Sequence, residues 1–461
     1  QLEFSPDQVK ELVKCATDPK HFIENYVQIV HVDHGLVPFK LYDYQEEMVE
    51  IFHNNRFVIS KLPRQSGKST TIVSYLLHYI LFNENVAVAI LANKGNTARE
   101  LLSRMQMSFE HLPRWLQQGV TVWNKGNVEL ENGSKILAAA TSSSAVRGSS
   151  FNIIFLDEFA HVDPPSLADE FFNSVYPTIS SGNTTKVFIV STPYGMNKFY
   201  KMWIDAEEGR NTYVPFSVNW SDVPGRDDAW KAETIRNTSE RQWRQEFECE
   251  FLGSTNTLIE PSKLRNMPYK PPIRKQQELD VYVEPQKGHA YCTLVDTASG
   301  VGQDYSTFTI IDVTEIPYKV VAKYRNNEIS PIIFPNIIEQ ISTQYNKSWC
   351  LVETNGNGMQ VGDILYYDLE YENTILTSPN KGGQEVSGGF KKNSRIGLIT
   401  SKHVKRTGCT TIKELIEKDH LIIEDFDIIS ELMTFAEKGP TFQAEEGYHD
   451  DLVMTLVLFG W

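Results

Sequence analysis

The stretch that most limits what this chain can fold into is Phe57-Val-Ile-Ser-Lys-Leu-Pro-Arg-Gln-Ser-Gly-Lys-Ser-Thr70. Its apolar start predicts a buried strand, and the residues after Thr70 predict a helix. The loop between them runs through Arg64, Gln65 and Ser66 to Gly67, Lys68 and Ser69. Backbone N–H groups and a helix N-terminus then converge on an anion, Lys68 adds a point charge, and the Ser69 hydroxyl faces a divalent cation. Leu62 stands where the first glycine of such a loop usually lies, so the reading rests on the strand–loop–helix context and the intact Gly-Lys-Ser.

The surrounding text has the matching rhythm. Residues 57–60, 86–91, 153–156 and 187–191 read as buried strands rich in Val and Ile, and 69–81 and 97–109 have helical length between them. That alternation marks a mostly parallel α/β sheet. Ile153-Ile-Phe-Leu-Asp-Glu158 is the partner element of a phosphate loop. Asp157 emerges at the strand end where the water shell of Mg²⁺ would sit, and Glu158 is placed to polarise an attacking water, which makes ATP the expected substrate. Arg64 is either a stabiliser of transition-state charge or the partner of a surface acid. Gln45, in Tyr42-Asp-Tyr-Gln45, reads an adenine edge or simply opens a helix. Ser191-Thr192-Pro193 ends a strand as a γ-phosphate sensor or an ordinary turn, and Arg147 is a second candidate phosphate arginine.

Residues 213–252 turn helical and polar, and 258–286 carry five prolines (Pro261, Pro268, Pro271, Pro272, Pro285) among Lys and Arg. This composition predicts a linker. A second alternating pattern follows, with strands at 291–295, 307–313, 319–324 and 349–352, a helix at 332–345 and a closing helix from Asp450. Asp296 and Glu353 end two of these strands, and Asp450-Asp451 opens the last helix. Two-metal phosphodiester cleavage needs several carboxylates converging on Mg²⁺ or Mn²⁺ about 3.5–4 Å apart, and hard oxygen ligands suit those ions. Strand end, strand end and helix start is the acid placement of a ribonuclease-H-like nuclease. Asp304 is a fourth ligand or a turn residue, His449 reads as a cap, and the sequence leaves open which of Asp450 and Asp451 faces the metals. Lys391, Lys392, Arg395, Lys402, Lys405 and Arg406 follow a glycine-rich loop at 382–389 with no acid between Phe390 and Thr407, which predicts a seat for a DNA backbone.

With a net charge of −15, nucleic-acid contact must come from such local basic surface rather than from the whole chain. No apolar run approaches the ~20 residues of a membrane span. Five scattered cysteines without a CxxC pair favour reduced thiols, and the start at Gln1 without Met predicts that some N-terminal sequence precedes it.

Together these features resemble the large terminase subunit, the DNA-packaging motor of tailed bacteriophages, most closely its contractile-tailed branch. The likeness rests on Leu-Pro-Arg-Gln-Ser-Gly-Lys-Ser, Trp123-Asn-Lys-Gly126, Ala145-Val-Arg-Gly148, Gly302-Gln-Asp-Tyr305 and Glu445-Glu-Gly-Tyr-His-Asp-Asp-Leu-Val453. It implies a RecA/ASCE-like ATPase over 1–257, with its core at about 41–212 and a small helical subdomain from 1–40 and 213–257. A linker at 258–286 and a ribonuclease-H-like nuclease over 287–461 would follow. It further implies ATP and Mg²⁺ on Lys68, Ser69, Thr70 and Asp157, Glu158 as base, Arg64 as the in-loop arginine, and Ser191-Thr192-Pro193 as coupling motif. The expected partners are double-stranded DNA, the prohead portal protein, a small terminase subunit and further copies in a ring, commonly pentameric, in the host cytoplasm during phage assembly. Two other classes fit parts of the text. A helicase–nuclease would need a second RecA-like half, and a nucleotide-switch scaffold would have no use for Glu158 or converging acids.

Overall fold

The computed structural model describes residues 4–31, 33–142, 150–180, 182–254, 256–298, 304–380, 383–388 and 393–461. The chain forms two compact units, Gln1–Leu252 and Gly253–Trp461.

Eight strands of the first unit pair, among the described residues, in the order Val214–Ser217, Phe57–Lys61, Lys186–Ser191, Ile153–Asp157, Ala87–Ala92, Lys135–Ala140, Asn127–Leu130, Val120–Trp123. The first six are mutually parallel and the last two antiparallel. One strand thus lies between the phosphate-loop strand and the strand ending in Asp157, the order of an ASCE core. The period of two divides each strand between two faces. Val88, Ile90, Phe155 and Phe188 pack with helices Asp43–Asn54, Lys68–Phe82 and Gly95–Glu110. Ala89, Leu91, Ile154 and Ile189 pack with Ser166–Ser180 and Lys198–Glu207 on the other face. Burial on both faces explains why these strands are continuous apolar runs rather than alternating ones. Val214–Ser217 extends the main sheet, so the sheet continues past the expected core limit of about 212. The meander at 120–140 has short, half-exposed strands and gave no clear sequence signal.

In the second unit Tyr291–Asp296, Ser306–Asp312 and Tyr318–Asn326 form an antiparallel meander, and Trp349–Val352 returns parallel to the first of them. This is the ribonuclease-H-like order. Helix Phe334–Gln344 buries Phe334, Ile338 and Ile341 in the core with Phe308 and Ile310. The closing helix Asp451–Gly460 is tied to the same strand's alternate residues, since Thr309 Oγ1 donates to Thr455 Oγ1 at 2.9 Å. Glycine permits its close crossing with helix Lys402–Glu417: a Cβ on Gly408 would lie 2.2 Å from the Val457 carbonyl oxygen.

The expected linker at 258–286 is folded into this unit. It contains helix Pro261–Asn266 and the hairpin Arg274–Gln276/Leu279–Val281, whose second strand pairs with Tyr318–Asn326. Leu279 and Val281 are buried, but two apolar residues among prolines and charges are too few to read as a strand. Buried Lys323 ties this edge down by pairing with Asp280 and Asp425, both at 3.0 Å, and with Asp427. Of the glycine-rich stretch, Gly383–Ser387 is a strand of an antiparallel sheet with Leu376–Asn380, which also pairs with Arg395–Ile396. No helix among the described residues is long and apolar enough to cross a membrane.

One buried group makes the first unit sensitive to acid. His78 is 3% exposed, its Nε2 donates to the Cys15 carbonyl at 2.8 Å, and its Nδ1 has no hydrogen-bond partner among the described residues. Burial pushes its pKa down to about 4. Since the folded value lies below the unfolded one, this stability is present above about pH 6.5 and is lost as pH falls toward 4, on the order of 3 kcal/mol in all. Calorimetry between pH 7.5 and 4.5 should show His78→Gln losing less melting temperature than the parent chain. Equal losses would refute the assignment.

Candidate active sites

The strand register builds the first site. Lys61 lies beside Ser191, and Asp157 beside Val190, so the phosphate loop, the Ser-Thr-Pro turn and the acidic pair all leave the sheet at the carboxyl edge. Gly67 takes φ +73°, and a Cβ there would meet Gln45 Nε2 at 2.6 Å. Gln45 is buried and braces the loop: Nε2 donates to the Ser66 carbonyl at 3.2 Å, and Oε1 accepts from the Tyr42 N–H at 3.0 Å. Tyr44 donates to the same Ser66 carbonyl at 2.7 Å. Gln45 retains one N–H and one lone pair for a ligand. It lines a cavity of about 550 Å³ with Tyr42, Gly67, Thr70, Arg226 and Trp230, a size suited to a small-molecule ligand.

At the loop's far end Lys68 Nζ lies 2.8 Å from Glu158 Oε1, and Ser69 Oγ is 3.3 and 3.4 Å from the Asp157 oxygens. Glu158 sits at φ +49°, a strained conformation of the kind that gathers at functional sites. Burial alone would raise its pKa, but Lys68, and after it His161, outweigh burial and hold it below the ordinary value. Asp157 is pushed up to about 7 by burial and then by Glu158, with Lys68 and Ser69 opposing. A divalent cation on the Asp157–Ser69 oxygens would reverse that shift, and the donor set fits Mg²⁺. The Ser-Thr-Pro turn supports Glu158: Ser191 Oγ accepts from the Ala160 N–H at 3.1 Å, and His161 Nε2 lies 2.9 Å from Thr192 Oγ1 and 3.6 Å from Glu158. His161 has no sequence signature. Arg64 is largely exposed, with Nη1 3.7 Å from Glu246 Oε2 and its N–H bonded to the Glu246 carbonyl. Arg147 lies outside the described residues.

The second site is a crowd of acids. Val295 pairs with Val352, so Asp296 and Glu353 leave adjacent parallel strands side by side. Burial first, and Glu353 next, push Asp296 well above the usual carboxylate range, with Asp451 and Asp450 adding to the effect. Among the described residues neither Asp296 nor Glu353 has a cation within salt-bridge distance. Asp451 Oδ2 is buried without a hydrogen-bond partner among the described residues, 3.6 Å from His449 Nδ1. Burial and the Asp304 charge lift its pKa to about 6, against a backbone hydrogen bond from Tyr305. Asp450 turns elsewhere, accepting from the Ala444 N–H at 3.1 Å with Lys405 at 3.9 Å. Asp304 is exposed and 4.0 Å from His449.

An orphaned buried carboxylate oxygen beside like-charged neighbours fits a divalent cation. The tighter cluster Asp280–Asp425–Asp427 does not compete, because the Lys323 ammonium already sits among its three carboxylates. Two residues without sequence signature set the acids in place. Glu431 Oε2 takes the N–H groups of Leu452 and Val453 at 2.8 and 3.1 Å, capping the last helix so that neither Asp450 nor Asp451 is spent on it. Arg325 pairs with Glu431 at 3.4 Å and lies over the Tyr305 ring at 3.9 Å. Of the basic residues, Arg395, Lys402 and Arg406 are exposed, whereas Lys405 is partly buried beneath Asp450. Lys391 and Lys392 lie outside the described residues.

Fold and sites define a class: a P-loop ATPase unit joined to a ribonuclease-H-like nuclease unit. Two family models match, "Terminase large subunit, T4likevirus-type, N-terminal" over 59–266 and "Terminase RNaseH-like domain" over 293–457. The chain belongs to the large-terminase family, as a terminase large subunit with an ATPase and a nuclease domain. Its fold is similar to that of the bacteriophage HK97 large terminase, with 13% identity, a TM-score of 0.54, and 96% of this chain and 99% of that one covered. Part of it is also similar to the cobalt-bound large terminase nuclease of thermophilic phage G20c, with 20% identity, a TM-score of 0.34, and 45% of this chain and 97% of that one covered.

The orientation of the two neighbouring acids leads to a direct test. Asp451→Asn should weaken Mn²⁺ binding by the nucleotide-free chain at least about tenfold, and Asp450→Asn far less. Titration calorimetry giving the opposite order would exclude Asp451 as the ligand.

Proposed function

We propose that this chain hydrolyses ATP to drive double-stranded DNA into a prohead and cuts concatemeric DNA at a separate metal-dependent site. The observation that carries the reading is the pairing of Lys68 with Glu158 beside Ser69 and Asp157 in one unit, while Asp296, Glu353 and Asp451 gather in the other. Without nucleotide, Lys68 and Glu158 neutralise each other. A γ-phosphate competes for Lys68 and releases Glu158 to accept a proton from water as its oxygen bonds to phosphorus and the bond to the β-phosphate oxygen breaks. Ser69 and Asp157 would hold Mg²⁺, which supplies charge neutralisation across the phosphates. Arg64 is in the loop to meet charge on the transferring group once it leaves Glu246.

At the nuclease site Asp296, Glu353 and Asp451 would hold Mg²⁺ or Mn²⁺, which activates water and stabilises the leaving oxygen. The exposed Arg395, Lys402 and Arg406 offer the DNA backbone charge complementarity in a chain of net charge −15. Family membership supports work in the infected host's cytoplasm as a homo-oligomeric ring on the portal, recruited by a small terminase subunit. The ribonuclease-H-like second unit stands where a helicase–nuclease would need a second RecA-like half.

Glu158→Gln should lower ATP turnover by about 10²–10⁴-fold and abolish packaging while nucleotide binding and DNA cutting persist. Asp296→Asn should abolish EDTA-sensitive plasmid cutting and leave ATP turnover intact. If either variant, still folded by circular dichroism, lost both activities, two independent sites would be the wrong description.

A further inference from the structure

The cavity beside the phosphate loop has a wall that the phosphate motif does not supply. Arg226 comes from the turn preceding helix Asp228–Asn237, far from the loop in sequence. Its Nη2 donates to the Arg64 and Gln65 carbonyls at 2.8 and 2.9 Å, which fixes the guanidinium against the back of the loop. Its Nη1 is buried with no hydrogen-bond partner among the described residues. The guanidinium carbon lies 4.7 Å from the centroid of Trp230. Trp230 is itself braced by Trp243 at 5.6 Å and Phe247 at 5.3 Å, both edge-on, so the platform under the arginine is rigid. Tyr42 and Gln45 line the same cavity, as does Thr70 from the first turn of helix Lys68–Phe82.

Phosphates cradled by the loop N–H groups and Lys68 fill the side of the loop facing Glu158. The nucleoside end must leave past Thr70, into this cavity. A planar cation on an aromatic platform, with its Nη1 N–H groups unused, is suited to stack on a purine and bond one of its acceptors.

Resting on the ATPase reading above, we propose that Arg226, backed by Trp230, clamps the nucleoside end of the bound nucleotide against the Tyr42–Gln45 wall. Because the same guanidinium holds the Arg64 and Gln65 carbonyls, occupancy of the cavity is felt directly by the segment that carries Arg64. The clamp gives its affinity to the base and ribose, and none to the phosphate chain.

The test compares binding of ATP, ADP and inorganic tripolyphosphate to the full chain and to Arg226→Ala, Arg226→Lys and Lys68→Ala, by titration calorimetry with Mg²⁺. Arg226→Ala should weaken ATP and ADP about tenfold or more, as expected for a stacked, charge-assisted contact, with tripolyphosphate changed less than twofold. Arg226→Lys, which keeps the charge and loses the plane, should show most of the same loss. Tryptophan fluorescence should respond to ADP in the parent chain and much less in Trp230→Phe. An equal loss of tripolyphosphate binding in Arg226→Ala would make Arg226 a brace of the loop only and overturn the clamp, as would unchanged ATP and ADP affinity. Failure of the parent chain to bind ATP, with Lys68→Ala no different, would instead overturn the ATPase reading itself.

Discussion

The short ion pair between Lys68 and Glu158 is the constraint on which the first unit's chemistry depends. It exists because parallel strands in register bring Lys61, Ser191 and Asp157 to one edge of the sheet. In the mechanism proposed above it is the resting arrangement, since the cation assigned to the phosphate and the carboxylate assigned to the water occupy each other. Their pairing in a site 6% exposed at Lys68 avoids the cost of an unpaired buried charge. The Ser191-Thr192 turn holds the two residues after Phe159, since Ser191 Oγ accepts from the Ala160 N–H and Thr192 Oγ1 meets the His161 ring, which in turn lies 3.6 Å from Glu158.

The second unit meets the opposite electrostatic problem. Asp296, Glu353 and Asp451 bring like charge into a partly buried space with no lysine or arginine among the described residues within ion-pair distance of them, and Arg325 acts on Asp451 only from farther off. The fold tolerates this because Glu431 and Arg325 take over the structural duties nearby. The chain contains its own contrast in the Asp280, Asp425 and Asp427 cluster, which is closed by Lys323 and built for stability. A buried acid cluster with its cation supplied is architecture, whereas one left short of cations is a place for metal.

The sequence was legible where function is local in the chain. The loop from Arg64 to Thr70, the strand ending in Asp157 just before Glu158, and the strand ending in Asp296 needed only their own neighbours to be read. The segment at 258–286 was misread because its strand is defined by the partner at Tyr318–Asn326, which composition does not reveal. Gln45 proved to brace the loop as well as to face the cavity, a double role visible only once the Ser66 carbonyl is placed beside it.

The sequence by itself determined that this chain holds a phosphate loop with its acidic partner and a separate set of strand-end carboxylates, because strand periodicity and tight turns depend on short-range sterics. Only the tertiary structure told the two acids at the start of the last helix apart: Asp450 Oδ2 accepts from the Ala444 N–H, whereas Asp451 Oδ2 is buried with no hydrogen-bond partner among the described residues. It alone brought Arg226 to the phosphate loop and His161 to Thr192. Contacts of that kind are made by packing across a sheet edge, where residues far apart in the chain meet, and no local pattern records them.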